Sequence, residues 1–297
     1  MTASAAPFTE VRIEVHEGPQ RLPIAALANY PAGQAPDVIW LHANGFNART
    51  YRHTLAPLAG RLNILAVDQR GHGGTPYNCD IAAKTDANDM RDDLLALLET
   101  IDAPKPVILA GHSIGGCVAT LAAAEAPARV KALALFDPVI MSREVMDAAL
   151  RGERMESVLV SKARGRRRSF ASKAEALETY GGRSIFRTWP REALEDYVEA
   201  GFRDLADGSV ELTCAPEWEA AVFASHAHDI WGAMSRVEAP VRIWRAEIGS
   251  TCSVAADADF PRPAGQAAVV TVPGATHFLP IERPELVREG LLAVASL

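Results

Sequence analysis

The chain has 297 residues, 48% apolar and 23% charged, with a formal net charge of −7. This is the composition of a soluble globular protein, with room for one large domain or a domain carrying an insertion. The acidic balance argues against nucleic acid or an anionic membrane as partner, and no uncharged apolar run approaches the roughly 20 residues a membrane helix needs.

The first ten residues lack the basic flank and apolar stretch of a secretory signal. The four cysteines (Cys79, Cys117, Cys214, Cys252) are scattered without a C-x-x-C pair, so reduced thiols and a cytoplasmic location are expected. Residues 11–16 and 22–30 read as an opening antiparallel hairpin. Residues 37–42 form a short buried strand, followed by a helix over 48–59 and a strand over 63–68. Residues 86–101 are amphipathic, with Met90, Leu94, Leu97, Leu98 and Ile101 at helical spacing on one face. Strands follow at 106–111 and 130–136, with a helix between them. After a long interruption come strands at 240–245 and 267–272, and a closing helix at 282–295. Strands alternating with helices imply a mostly parallel central sheet with helices on both faces.

The interruption, residues 141–231, is rich in charge and helix formers and contains no β-rich run. It reads as a helical lid, or cap, inserted into a core made of residues 1–140 and 232–297. Its Arg166, Arg167 and Arg168 are expected on a solvated surface. Of its aromatics (among them Phe186, Trp189 and Tyr197), some fill the lid core and others wall a substrate cavity.

Gly111-His112-Ser113-Ile114-Gly115 follows the apolar run of residues 106–110 and precedes a small-residue helix. That strand–turn–helix context is the one a G-x-S-x-G nucleophile elbow requires, because the turn pushes the Ser113 hydroxyl above the sheet. A serine hydroxyl is a poor nucleophile without a base. His277 lies in the loop between the last strand and the last helix, where it is placed to reach Ser113. A spacing of two on a helix splays the rings of His226 and His228 apart, and no metal site is expected. An imidazole base needs a carboxylate to hold its tautomer. The turn after strand 240–245 reads Arg245-Ala-Glu-Ile-Gly-Ser-Thr-Cys252 and contains no Asp. Asp137, at the end of the preceding strand, is therefore the favoured acid, with Glu247 as rival and Asp257 or Asp259 as remote alternatives. Oxyanion donors are expected from the backbone amides of Ile114 and Asn44, the latter in the turn His42-Ala-Asn-Gly-Phe46.

With Ser113, the His42–Phe46 turn, Asp68-Gln-Arg-Gly-His-Gly-Gly74 and Gly274-Ala-Thr-His277 in this order, the chain resembles α/β-hydrolase-fold enzymes over nearly its whole length. The resemblance implies nucleophile, acid and base at Ser113, Asp137 and His277, and a mainly structural role for the Asp68–Gly74 turn. It also shows two departures from the family pattern, Ala43 in the first loop and the empty late acid position. The expected activity is serine hydrolysis of a carboxylic ester or lactone on a small-molecule substrate. Carbon–carbon bond or amide hydrolysis, or non-catalytic ligand binding, are the alternatives. Serine acyl transfer needs no cofactor, and the chain is expected to be a monomer or homodimer.

Overall fold

The computed structural model describes residues 8–17, 20–77, 86–153, 157–225, 228–256, 259–261 and 267–297. Cys79, Asp257 and His226 lie outside these residues.

A hairpin of β1 (Thr9–Glu17) and β2 (Gln20–Ala28) opens the chain, followed by β3 (Val38–Leu41) and β4 (Ile64–Val67). Between β3 and β4, the helix expected over 48–59 is instead three consecutive short turns. Only Arg52–Leu55 (α1) is α-helical, flanked by 3₁₀ turns at Ala48–Tyr51 and Ala56–Leu58. Pro57 enters at the second junction, where its missing N–H costs least. Then come α2 (Ala87–Ile101), β5 (Val107–His112), α3 (Ile114–Glu125) and β6 (Val130–Phe136). These strands join β10 (Val241–Ile248) and β11 (Ala267–Thr276) in an eight-stranded sheet, ordered β1-β2-β4-β3-β5-β6-β10-β11. The six strands from β4 to β11 in that order are parallel, and β2 alone is reversed, antiparallel to both β1 and β4.

The central strands are apolar along their whole length because both faces are covered. Along β3, Val38 and Trp40 join one core cluster while Ile39 and Leu41 join the other. Along β5, Val107 and Leu109 alternate with Ile108 and Ala110 in the same way. Helices α2 and α3 close one face. Helix α1 and the closing helices α10 (Leu279–Glu282) and α11 (Pro284–Ala295) close the other.

Between β6 and β10 lie α4 (Arg143–Leu150), α5 (Val158–Arg164), α6 (Lys173–Gly181), α7 (Arg191–Gly201), α8 (Pro216–Ala224) and α9 (Ile230–Arg236). The segment also contains a small antiparallel sheet of β7 (Ser169–Phe170), β8 (Phe202–Asp204) and β9 (Val210–Leu212). Strands of two or three residues are too short for a period-two pattern to register, which is why no β-rich run was legible there. Helix α9 runs across the expected boundary at 231/232. The Trp231 indole N–H donates to the Met141 carbonyl at 2.9 Å, so the two ends of the segment meet. No described helix is long and apolar enough to cross a membrane.

Candidate active site

Ser113 sits at the tip of β5, where the chain turns into α3 with φ +58° and ψ −122°. A non-glycine residue with positive φ is held there by its surroundings rather than by preference. The glycines on either side are what permit the turn. A Cβ on Gly111 would lie 2.4 Å from the Gly115 carbonyl carbon, and one on Gly115 would lie 2.4 Å from the Leu41 backbone oxygen. Backbone cannot yield as a side chain does. Gly115→Ala is therefore expected to destabilise the fold by about 3 kcal/mol or more, seen as a lower urea midpoint.

His277 lies just beyond β11. Its Nε2 is 3.1 Å from Ser113 Oγ, and its Nδ1 is 2.6 Å from Asp137 Oδ2. A carboxylate can only accept, so Nδ1 carries the proton and Nε2 presents its lone pair to the serine hydroxyl. Three segments distant in sequence thus converge in one line. Glu282 braces the histidine from the next helix, accepting from the Thr276 amide at 2.9 Å and the Thr276 hydroxyl at 2.8 Å.

Asp137 is fully buried at the end of β6, with φ +44°. Its Oδ1 accepts from the Ala246 amide at 2.8 Å and the Ser250 hydroxyl at 2.5 Å. Its Oδ2 accepts from the Thr251 amide at 3.2 Å as well as from His277. Burial pushes the carboxyl upward, but the hydrogen bond and charge of His277, with those of Ser250 and Ala246, outweigh it and hold Asp137 below the usual carboxylate range. The turn 245–252, which lacks an Asp, supplies donors to Asp137 instead. Its Ser-Thr pair was the signal that sequence reasoning passed over. The rival Glu247 turns away and accepts the Gly274 amide at 2.8 Å. Asp259 accepts the amides of Ala255 and Ala256.

The 42–45 turn faces Ser113 from β3. Its backbone is pinned on both sides of Asn44: His42 Nδ1 donates to the Ala43 carbonyl at 2.7 Å, and His72 Nε2 accepts from the Gly45 amide at 3.0 Å. His42 Nε2 also accepts from the Gln69 amide at 2.9 Å. These bonds need neutral rings. Burial holds His72 down to about 4 and His42 well below the usual imidazole range. The Asn44 side chain donates outward to the Glu219 carbonyl at 2.9 Å. The backbone N–H of Asn44 has no partner among the described residues, and the backbone N–H of Ile114, first in α3, has no intrahelical acceptor. These two free N–H groups are the ones expected to hold an oxyanion.

Phe46 packs against Phe278, Trp189 and Tyr197, with ring centroids 6.0, 5.4 and 5.5 Å away. An aromatic wall therefore joins the 42–46 turn, the His277 loop and the inserted segment. Other inserted aromatics, Phe170, Tyr180 and Phe202, pack on one another as core. Arg166 departs from the solvated surface expected of it. It is ion-paired with Glu219 behind Gly45 and donates to the hydroxyls of Tyr180 at 3.1 Å and Tyr197 at 2.9 Å. Arg167 and Arg168 are on the surface, paired with Glu175 and Glu217. His228 precedes α9 rather than lying on a helix, and no metal-ligating cluster occurs among the described residues. A hollow of about 480 Å³ lies away from Ser113, between the β1–β2 hairpin, the Asp68–Gly74 turn and Phe202. Its arginines are already bonded, Arg49 to Asp196 and Arg12 to the Gly74 carbonyl.

Residues 38–289 match the α/β hydrolase family model. The chain is 29% identical over 262 residues to 2-(acetamidomethylene)succinate hydrolase of Mesorhizobium japonicum, covering 87% of each chain. It is 36% identical over 103 residues to the pimeloyl-[acyl-carrier protein] methyl ester esterase of Chromobacterium violaceum, covering 35% of this chain and 37% of that one. Among solved structures, an E-2-(acetamidomethylene)succinate hydrolase superposes with a TM-score of 0.79 at 24% identity, over 98% of this chain and 100% of that one.

Proposed function

The chain belongs to the α/β hydrolase family, and from that premise we propose that it is a serine hydrolase cleaving a carboxylic ester or lactone through an acyl-enzyme on Ser113. The observation that carries this reading is the unbroken hydrogen-bonded line from Ser113 Oγ through the His277 ring to Asp137. In the proposed mechanism His277 Nε2 takes the serine proton as Oγ attacks the carbonyl carbon. The Asn44 and Ile114 amides hold the negative oxygen, and Asp137 stabilises the imidazolium. Collapse of the adduct expels the alkoxide, which takes the proton from His277. A water molecule, deprotonated by the same ring, then releases the acyl group and restores Ser113. We place residues 141–231 as a cap over a core of 1–140 and 232–297. The aromatic wall of Phe46, Trp189 and Phe278 favours a small or medium, partly apolar substrate.

One observation favours a second reading, amide hydrolysis. The relative that spans most of both chains acts, by its name, on a substrate bearing an acetamido group. The residues would play the same parts, with an amine as the leaving group.

A fluorophosphonate probe tests the serine chemistry. Wild-type protein is expected to label at Ser113 and Ser113→Ala is expected not to, and an unlabelled wild type would overturn the reading. Turnover of nitrophenyl acetate with acetanilide inert supports the ester assignment. The opposite pattern replaces it with the amide one.

A further inference from the structure

Two fully buried polar side chains beside Ser113 have no part in the mechanism above. Tyr51 and His112 are both 0% exposed. Tyr51 Oη accepts from the Ala43 amide at 3.2 Å and lies 2.7 Å from His112 Nδ1. The other ring nitrogen, His112 Nε2, is 2.7 Å from the backbone oxygen of His277. These contacts admit one arrangement of protons. A carbonyl only accepts, so Nε2 carries hydrogen. Nδ1 of the neutral ring then presents a lone pair, the tyrosine O–H donates to it, and the remaining lone pair of Oη takes the amide. Burial and the neighbouring His277 hold His112 down to about 3, so the neutral ring that this chain requires persists at any ordinary pH.

Resting on the serine-hydrolase reading, we infer that Tyr51 and His112 are positioning residues, a buried phenol–imidazole strut that sets the distance between the oxyanion donors and the base. One end of the strut holds the amide immediately before Asn44, and the other holds the carbonyl of His277. It passes beneath Ser113, since His112 is the residue before it. The rings of His112 and His277 are 4.9 Å apart between centroids. The Asp137 bond fixes the tilt of the His277 ring but not how far its loop stands from the 42–45 turn. The Ala43 amide and the His277 carbonyl are on different strands' loops, and the strut spans them with a single directional chain of hydrogen bonds. Misplacement by about 1 Å at a reacting centre can cost on the order of 100-fold in rate. The phenyl ring of Tyr51 would fill the core equally well without its hydroxyl, so packing alone does not account for that oxygen.

The test compares Tyr51→Phe, His112→Leu and His112→Gln on nitrophenyl acetate, with circular dichroism confirming the fold. Tyr51→Phe keeps the ring and removes the hydroxyl. It is expected to lower kcat about 10–100-fold with KM within about twofold, and to slow fluorophosphonate labelling by the same factor. His112→Leu is expected to fall at least as far. His112→Gln offers an acceptor oxygen and a donor N–H from one planar group, and is expected to recover most of the loss. Should His112→Leu fail to fold, Tyr51→Phe against His112→Gln decides. Folded Tyr51→Phe with wild-type kcat overturns the strut, as does His112→Gln no better than a folded His112→Leu. Both outcomes differ from an unlabelled wild type, which would instead remove the serine-hydrolase reading itself.

Discussion

Asp137→Asn is expected to lower turnover about 10⁴-fold while leaving the protein folded. The backbone tolerates the change, because Asn accepts the left-handed conformation that Asp137 adopts at φ +44°. The hydrogen bonds do not. The carboxylate receives four donors, two on each oxygen: Ala246 and Ser250 on Oδ1, Thr251 and His277 on Oδ2. An asparagine has one oxygen for those four. Placed toward Ala246 and Ser250, it leaves an NH₂ group facing His277 Nδ1, which must then become an acceptor. The imidazole proton moves to Nε2 and points at Ser113, so the base has no lone pair for the serine. Glu247→Gln, which alters only the contact with the Gly274 amide, is expected to stay within a few-fold of wild type. Steady-state assays of both variants check the assignment. A large loss in Glu247→Gln with little in Asp137→Asn would reverse it.

Acid is the second large effect expected. His42, His72 and His112 are all buried and held below the ordinary imidazole value of 6.5, His72 at about 4 and His112 at about 3, with desolvation as the leading cause in each. An unfolded chain binds three protons at these sites once the pH drops below 6.5, whereas the folded chain takes them up only at lower pH, about 4 for His72 and about 3 for His112. Stability therefore falls with pH through that window. Asp68 works the other way. Burial raises it to about 6 against the hydrogen bonds from the Ala48 and Gly74 amides. Its contribution is fully present below 3.8 and fades as pH rises through 6, so it cancels about one of the three protons. His72 and His112, less Asp68, give an expected loss of about 2 kcal/mol between pH 7 and pH 5, to which His42 adds in the same direction, read from urea unfolding at the two values. Asp137, held below 3.8, adds a further loss only at still lower pH. Equal unfolding free energies at pH 7 and pH 5 would mean that these rings are hydrated and titrate freely.

Much of the core was legible because its elements are specified locally. The residues of β3 and β5 are apolar without interruption, α2 keeps a 3.6-residue period, and the two glycines around Ser113 mark a turn that no other residue allows. The convergence of Ser113, Asp137 and His277 could be anticipated because parallel strands deliver their C-terminal loops to one edge. What stayed hidden depends on contacts between segments far apart in sequence. Nothing local to Arg166 announces that Glu219, 53 residues on, will bury its charge. Nor does the Ser250-Thr251 pair indicate that it serves a carboxylate more than a hundred residues earlier. The small sheet of β7, β8 and β9 escaped for a different reason, since its strands are shorter than any pattern that sequence can display.

The hydrogen bond between Trp231 and Met141 closes the neck of the inserted segment. With that neck pinned, the segment leaves and rejoins the rest of the chain at one point, and lengthening what lies between adds little closure entropy. Extra residues placed in its exposed loops are therefore expected to leave the neck where it stands, read as an unchanged urea midpoint.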